Sequence, residues 1–370
     1  MDEYVKIIKM LNLTRNLVGL DIGASTIKIV ELAYNDSKGI KLLSAGIVDN
    51  PTHEWEDKGI PEATEALAKS IKGACRQFNI KNKAVAIALG TTEVIFDYLK
   101  FPPLNEKELA NAVKFEAEQL ISSNIEQVSI DYKRLSADNK DGKENILLVA
   151  VPKEITQKKI EVVAQAGLNP MVMDVEPLAL LNCLIPLTEE PMDKNESVGI
   201  LNIGAGITNL SILSSENFPT IRNINFGGDR FSAFIRKETG LSFDEVEKLK
   251  KDPNKLRQKG INIEQMLEKQ TIAFINEIKS SIEYTHRRSD KSAAGQQNRR
   301  ATDPHIKKIF LTGGGSLIEG LDKFLSKNLG VEIARWNPFE KVAFSRYLDG
   351  SLKPMGYFFP VSIGLGMRTI

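Results

Sequence analysis

Two segments of this 370-residue chain carry the same pattern of residue types, and the pattern suits phosphate binding. Leu20–Ile29 reads Leu-Asp-Ile-Gly-Ala-Ser-Thr-Ile-Lys-Ile, and Leu201–Leu210 reads Leu-Asn-Ile-Gly-Ala-Gly-Ile-Thr-Asn-Leu. Each predicts an apolar strand, a glycine-containing turn and a second apolar strand. Glycine lets the backbone N–H groups of such a turn approach a ligand closely, because no Cβ intervenes. Two of these hairpins facing each other across a cleft could hold a phosphate chain between them.

The first hairpin also offers groups for a metal ion and for phosphate oxygens. Asp21 ends a buried strand, where a carboxylate needs a compensating partner, and a magnesium ion held through water would serve. Lys28 falls on the same strand face as Thr26, from which it could bring a positive charge to the phosphates. Backbone N–H and hydroxyl donors would come from Gly23, Ala24, Ser25 and Thr26. Taken alone, the motif is equally compatible with a plain hairpin.

A third glycine turn lies within Leu311–Leu321, near the C-terminal end of the chain. It connects a predicted strand to a predicted helix through Gly313, Gly314, Gly315 and Ser316. The N-terminus of a helix favours anions and nucleotides, since its first N–H groups have no partner within the helix. The plainer interpretation is a strand-to-helix loop that needs positive φ. Three glycine turns at these separations favour the nucleotide interpretation.

Composition and charge are those of a globular chain without electrostatic attraction to nucleic acid. Apolar residues make up 42% and charged residues 26% of the chain, and the formal net charge is +1, which gives no electrostatic argument for nucleic acid. Cys75 and Cys183 lie in predicted helices and indicate buried thiols of a reducing compartment. No apolar run approaches the roughly 20 residues that cross a bilayer. Residues 2–13 could form a helix on a membrane surface or one docked on the protein.

The order of predicted strands and helices describes two α/β lobes and a smaller insertion. The chain opens with predicted strands at 18–32, 40–49 and 83–89 and a helix at 60–78. A strand, a helix and two strands follow within 94–151, where Asn105 and Glu108 form a capping box. The segment 186–197 is rich in Pro, Glu and Asp and predicts a linker, so the lobes meet near residue 190. Later helices are predicted at 230–239, 243–250, 263–288 and 317–329, with a polar loop at 289–303.

The three glycine turns, in this order, resemble those of the actin-like ATPase superfamily, which includes actin, sugar kinases, heat-shock chaperone ATPases and bacterial FtsA. The resemblance implies duplicated, ribonuclease H-like α/β lobes around a central nucleotide cleft, with ATP and Mg²⁺ as cofactors and Asp21 on the metal side. It implies phosphate motifs at Leu20–Lys28 and Leu201–Leu210, an adenosine motif at Ile309–Gly320, and connecting helices at Asp174–Asn182 and Pro360–Arg368. Nucleotide contacts are implied for Asn202, Gly204, Ala205, Gly206, Thr208, Asn209, Gly228 and Asp229.

Similarity to the superfamily also places Glu247 and Lys250 at the ribose and adenine, although a solvated helix face with i,i+3 charges has the same pattern. The implied subdomains divide the chain into four parts. The first lobe, 1A, takes 1–95 and 152–187, and the inserted partner-binding subdomain, 1C, takes 96–151. In the second lobe, 2A takes 188–235 and 305–370, and 2B takes 236–304.

A finer resemblance is to the PilM family, the cytoplasmic actin-like components of type IV pilus assembly. It is carried by Phe101–Leu109, Lys114–Gln119, Ser129–Tyr132 and Asn225–Asp229. In that family, the groove beside the inserted subdomain captures the short cytoplasmic N-terminal tail of PilN, a single-span inner-membrane protein. The resemblance implies partner contacts at Lys114, Phe115 and Glu118.

Phe115 falls off the apolar stripe of its own predicted helix, which suits a groove wall. Packing against the rest of its subdomain is equally compatible with the sequence. The resemblance further implies a cytoplasmic scaffold at the inner-membrane face, held there through its partners. Other pilus platform proteins and the motor ATPase are the further implied partners.

The second hairpin departs from the superfamily pattern, because Asn202 and Asn209 stand where Asp is usual. An amide can hydrogen-bond a hydrated metal, but it supplies no negative charge and cannot act as a base. We therefore expect ATP binding with weak or no hydrolysis. Three alternatives stay open: a component of a type II secretion platform, an FtsA-like membrane-associated filament protein and a sugar kinase. The last is disfavoured because no motif suggests a sugar pocket or a catalytic Asp.

Overall fold

Strands and helices alternate along the chain, as the sequence predicts. The structure, a computed structural model, describes residues 17–35, 39–53, 60–121, 124–135, 142–188, 196–214, 219–250, 252–293, 305–348 and 350–368. The strands are β1 (Val18–Ile22), β2 (Thr26–Asn35), β3 (Gly39–Asp49), β4 (Ala84–Leu89), β5 (Ile95–Phe101), β6 (Val128–Arg134), β7 (Glu144–Pro152), β8 (Asn169–Val175), β9 (Glu196–Ile203), β10 (Thr208–Ser214), β11 (Thr220–Ile224), β12 (His305–Thr312), β13 (Glu332–Arg335) and β14 (Ala343–Phe344). The predicted helix at 2–13 lies outside the described residues.

The α-helices are α1 (Ile60–Gln77), α2 (Glu106–Leu120), α3 (Lys153–Gln165), α4 (Glu176–Leu187), α5 (Gly228–Thr239), α6 (Phe243–Lys250), α7 (Pro253–Gln258), α8 (Ile263–Ala293), α9 (Leu321–Leu329) and α10 (Pro360–Gly366). Short 3₁₀ helices lie at Ile125–Gln127, Gly314–Leu317, Pro338–Glu340 and Gly350–Phe358. Within the described ranges, no helix is both long and apolar enough to span a membrane.

Two of the three sheets follow the same plan. The first has the strand order β14-β3-β2-β1-β4-β8, and the second has β11-β10-β9-β12-β13. In each, three consecutive antiparallel strands come first, and a parallel strand then joins the first of them: β4 beside β1, and β12 beside β9. The duplicated α/β architecture predicted from the two hairpins is therefore confirmed.

The third sheet is small and separate from the other two. Its strands β5, β6 and β7 lie between β4 and β8 of the first sheet along the chain. It has the antiparallel order β5-β7-β6, and α2 covers one of its faces. The capping box predicted at the start of α2 is present, because the Asn105 side chain accepts from the Glu108 N–H and the Glu108 carboxylate accepts from the Asn105 N–H. Leu109, Val113 and Ala117 are the buried residues of this helix.

Two connecting helices cross at the base of the lobes. Every residue of α10 is buried, and the helix packs against α4 and β1. Glycine allows the crossing to be this close, because a Cβ on Gly364 would lie 1.8 Å from the Ala179 carbonyl oxygen. Just beyond α10, Arg368 forms an ion pair of 2.6 Å with the buried Asp174 carboxylate at the end of β8.

The structure differs from the sequence-based assignment in several short elements. Helix α7, strand β13 and the 3₁₀ helix at Gly350–Phe358 have no counterpart in the prediction. Helix α8 continues to Ala293, into the predicted polar loop. The sequence predicts that residues 305–370 belong to the second lobe. Strands β12 and β13 do lie in the second sheet, but β14 pairs with β3 and α10 packs on β1, so these two later elements join the first lobe.

Candidate functional site

The first hairpin places a buried carboxylate beside an ammonium group. Asp21 and Lys28 are cross-strand partners, and the Lys28 Nζ lies 3.1 Å from Asp21 Oδ2. Asp21 is only 5% exposed, so the ion pair supplies the compensating partner that a buried carboxylate requires. The turn between them is Gly23-Ala24-Ser25-Thr26, closed by a hydrogen bond of 3.1 Å from the Gly23 N–H to the Thr26 carbonyl. A Cβ on Gly23 would lie 2.8 Å from Lys28 Nζ and 3.0 Å from the Thr26 carbonyl oxygen, so a side chain there would crowd the turn and displace the lysine.

The second hairpin has the same register and is fastened to a helix. Asn202 and Asn209 are cross-strand partners, and the turn Gly204-Ala205-Gly206-Ile207 closes through a bond of 2.9 Å from the Gly204 N–H to the Ile207 carbonyl. The first N–H groups of α5, from Gly228 and Asp229, donate to the Gly204 and Ala205 carbonyls at 2.9 Å each. Thr208 is fully buried and donates to the Phe226 carbonyl. The turn and the start of α5 are thus held as one unit.

A chain of side-chain amides leads from the second hairpin to the first lobe. Asn202 Nδ2 donates to Asn209 Oδ1 at 3.0 Å, and Asn209 Nδ2 donates to Asn223 Oδ1 at 3.0 Å. Asn223 Nδ2 then donates to the Thr91 carbonyl at 2.8 Å, in the turn that follows β4. Asn209 is fully buried, so its amide depends on these partners. The amides that stand in place of Asp are therefore structural groups that connect the lobes.

We predict that Asn223→Ala lowers the free energy of unfolding by about 2 kcal/mol, because it leaves the buried Asn209 amide and the Thr91 carbonyl each without one partner. Asn225→Ala is the matched control, since Asn225 is exposed and two residues away; its effect should stay within about 0.5 kcal/mol. Urea unfolding monitored by circular dichroism measures both. Equal effects of the two substitutions would contradict the structural role of the amide chain.

The third glycine turn lies directly against the second hairpin. Gly313 has φ 85° and ψ 163°, and a Cβ there would lie 2.4 Å from the Ile203 carbonyl oxygen. The Gly313 N–H donates to the Tyr357 carbonyl at 2.9 Å, and Ser316 Oγ donates to the Gly313 carbonyl at 2.6 Å. The Gly315 Cα lies 3.8 Å from the position of a Cβ on Gly228. The second and third predicted turns therefore share one wall of the cleft with the start of α5.

Glu247 and Lys250 lie on the face of α6 that points to this wall. The Lys250 Nζ donates to Glu247 Oε1 at 2.6 Å, to Ser232 Oγ at 2.8 Å and to the Gly228 carbonyl at 3.4 Å. Their side chains are only 25% and 12% exposed, respectively, so the alternative of a solvated charged face is wrong. The structure thus brings this pair together with Gly228 and Asp229 of α5.

Sequence reasoning missed two charged residues that lie near Asp21. The Glu176 carboxylate lies against Gly90, where a Cβ would be 1.8 Å from Oε1. Burial, followed by the neighbouring Asp21 carboxylate, raises the pKa of Glu176 to about 6. Lys159 of α3 donates to the Ala88 and Ile22 carbonyls at 2.8 and 3.3 Å, and burial lowers the pKa of its ammonium group.

The sequence contains a pattern that could have identified Glu176 as a site residue. Like Asp21, it stands at the carboxyl end of an apolar strand, and β1, β4 and β8 are parallel neighbours whose carboxyl ends meet at one sheet edge. Lys159 had no such signal, because a lysine in an amphipathic helix is most often exposed.

The inserted subdomain presents an apolar side chain to solvent. Phe115 of α2 is 61% exposed, so the alternative that it packs within its own subdomain is wrong. Lys114 and Glu118 are exposed on the same helix. Leu120, the last residue of α2, is 42% exposed, whereas the following Ile121 is buried in the core of the subdomain. In addition, the Tyr98 hydroxyl of β5 donates to the Pro219 carbonyl of the second lobe at 2.5 Å.

Known proteins with this sequence pattern and fold are pilus and cytoskeletal proteins. The sequence profile of the family described as type IV pilus assembly protein PilM matches residues 19–370. The solved structure of a PilM-PilN type IV pilus biogenesis complex has a chain 27% identical to this one, with a TM-score of 0.77; the match covers 96% of this chain and 98% of that one.

More distant relatives share the fold. The ethanolamine utilization protein EutJ from Carboxydothermus hydrogenoformans is 15% identical with a TM-score of 0.53, over 96% of this chain and 91% of that one. The cell shape-determining protein MreB of Pasteurella multocida (strain Pm70) is 22% identical over 355 residues, which cover 88% of this chain and 90% of MreB. The fold is that of the actin-like ATPases, and the chain belongs to the PilM family of type IV pilus assembly proteins.

Proposed function

We propose that this protein is an ATP-binding scaffold of the type IV pilus assembly platform, on the cytoplasmic face of the inner membrane. In this proposal the cleft holds the nucleotide, and the inserted subdomain holds the cytoplasmic N-terminal tail of a PilN-like single-span membrane protein. The likeness to the PilM-PilN complex over nearly the whole chain is the observation that carries it. Other platform proteins and the motor ATPase are further proposed partners.

The convergence of the three glycine turns supports nucleotide binding in the cleft. Phosphate oxygens would meet the turn Gly23–Thr26 on one side and Gly204–Gly206 with Thr208 on the other, near the Lys28 ammonium group. The ribose and base would lie between the Glu247 and Lys250 pair and the turn Gly313–Ser316. Close backbone approach and positive charge are the two properties that a phosphate chain requires.

A magnesium ion that keeps most of its waters fits the acidic groups of this cleft. Asp21 would hold it from the first hairpin, and the Asn202 amide could hydrogen-bond one of its waters. No cluster of three or more metal-ligating His, Cys, Asp or Glu side chains exists among the described residues, so the ion would arrive with the nucleotide. Its chemistry there would be to screen the phosphate charges.

Slow hydrolysis is the expected behaviour of such a cleft. Asn202 and Asn209 are committed to the amide chain, and neither can accept a proton from water. The Glu176 carboxylate is a further acidic group near Asp21. A protein that holds ATP without readily splitting it suits a scaffold, since the bound nucleotide then stabilises the closed lobes continuously.

Binding of a synthetic peptide with the N-terminal tail of the PilN-like protein tests the partner proposal. We expect binding to the wild-type protein with or without ATP and Mg²⁺, and at least about tenfold weaker binding to Phe115→Asp, since burying a charge in an apolar contact is costly. Ile272→Asp is the matched control, because Ile272 is 56% exposed on α8 of the other lobe. Fluorescence anisotropy of the labelled peptide gives the affinities.

Each result has a separate meaning. If the wild-type protein binds the tail under neither condition, the scaffold proposal is wrong. If both substitutions weaken binding equally, Phe115 is not part of the groove. Equilibrium titration with ATP, monitored by calorimetry, tests the cleft independently of the peptide.

A further inference from the structure

The segment Asn50–His53 follows β3 and contacts the backbone carbonyl groups of the first glycine turn. The Asn50 Nδ2 donates to the Gly23 carbonyl at 2.9 Å, and the Asn50 N–H donates to the Ser25 carbonyl at 2.8 Å. The Ala24 carbonyl between them contributes to the raised pKa of the His53 imidazole. Two carbonyls of the turn are therefore engaged by Asn50 from one side.

These hydrogen bonds fix the direction in which N–H groups of the turn point. In a planar trans peptide the carbonyl and the following N–H point to opposite sides. Engagement of the Gly23 carbonyl therefore turns the Ala24 N–H away from Asn50. The segment is itself fixed, because Asn50 Oδ1 accepts from the Thr52 N–H at 2.9 Å and from its hydroxyl at 2.7 Å.

His53 also reaches the opposite lobe. Its Nε2 lies 3.5 Å from Asp229 Oδ1 at the start of α5, and its ring lies against Phe243 of α6 with centroids 5.0 Å apart. The imidazole is 12% exposed and the Asp229 side chain 39% exposed, so water reaches the contact from the Asp229 side only. One side chain thus joins the turn of the first lobe to the helix that carries the turn of the second.

We propose that His53 is a positioning residue that aligns the first glycine turn for phosphate and latches the two lobes closed through Asp229 and Phe243. The inference rests on the proposed nucleotide site and adds its regulation. The latch is strongest when the imidazole is charged, because an imidazolium then lies between a carboxylate and a carbonyl.

The protonation state of the latch follows from the groups that face His53. Among the described residues these are the Asp229 carboxylate of α5, the more distant Glu247 carboxylate of α6 and the Ala24 carbonyl. The Asp229 hydrogen bond outweighs burial and raises the pKa of His53 above its ordinary value of 6.5. Because the pKa of His53 is raised in the closed state, the charged imidazole stabilises closure fully below pH 6.5. This stabilisation is lost as the pH rises through the pKa that His53 has in the closed state.

The dissociation rate of an ATP analogue with a fluorescent methylanthraniloyl ribose tests the latch. By stopped flow, we expect the wild-type rate to rise as the pH increases above about 6.5. His53→Gln keeps a hydrogen-bond donor without the charge, so its rate at low pH should be about tenfold higher than wild type and should not change with pH. His305→Gln, at the far end of β12 from the glycine turns, is the matched control and should retain the wild-type profile.

A second measurement does not depend on nucleotide. Spin labels on Lys72→Cys of α1 and Lys237→Cys of α5, in a Cys75→Ser background, report the distance between lobes. In the nucleotide-free protein we expect the distribution to broaden as the pH rises, and to be broad at every pH with His53→Gln. If wild type and His53→Gln give the same distances at every pH, the latch is wrong. If the analogue does not bind, the proposed nucleotide site fails instead, and the distances alone decide the latch.

Discussion

Replacing Gly364 by alanine should lower the free energy of unfolding by about 3 kcal/mol. The new Cβ would lie 1.8 Å from the Ala179 carbonyl oxygen and 2.6 Å from its carbon. Both atoms belong to the backbone of α4, so no side-chain rotation relieves the collision. The two helices must separate, and the buried residues of α10 then lose contacts with β1 and α4.

Gly73→Ala is the control for this substitution. Gly73 lies on the exposed face of α1, and a Cβ there would meet no atom within 4 Å. Because alanine is the better helix former, this variant should be more stable by about 0.5 to 1 kcal/mol. Urea unfolding of both variants measures the difference. Stabilisation of both by the same amount would show that α4 and α10 do not cross as closely as described.

The sequence was sufficient for features that depend on local pattern. The three glycine turns and the capping box at Asn105 follow from spacing within about ten residues, and the structure contains each of them. The interpretation of the third turn as a strand-to-helix loop predicts a positive φ at a glycine, and Gly313 has a φ of 85°. Duplication of the lobes was predictable because the two hairpins repeat residue types at the same register.

Features that depend on contacts between distant segments were not predictable in the same way. Nothing in the sequence near Asn223 indicates that its amide connects Asn209 to the Thr91 carbonyl. The roles of Asn50 and His53 likewise arise only when β3 ends beside the first turn and α5 lies across the cleft. The return of β14 to the first sheet depends on pairing with β3, about 300 residues earlier, through only two residues, too few for an alternating pattern.

The second large effect concerns the third glycine turn. Gly313→Ala should weaken ATP binding by about 100-fold, equivalent to about 2.7 kcal/mol, and destabilise the second lobe. The backbone angles of Gly313 lie in a region that is essentially open to glycine alone. Its Cβ would also lie 2.4 Å from the Ile203 carbonyl oxygen and 2.6 Å from Asn202 Oδ1. The turn would have to withdraw from the second hairpin and from the proposed base and ribose site.

Gly330→Ala is the control for this substitution, because it introduces backbone strain without a steric collision. Gly330 ends α9 with φ 69° and ψ 23°, and a Cβ there would meet no atom within 4 Å. It should therefore cost about 1 kcal/mol of stability, as left-handed alanine does, and leave ATP affinity unchanged. Calorimetric titration with ATP and thermal unfolding distinguish the two variants. If Gly313→Ala is destabilised yet binds ATP like wild type, the third turn supports the fold without contacting nucleotide, because displacement of the turn would then be tolerated by the ligand.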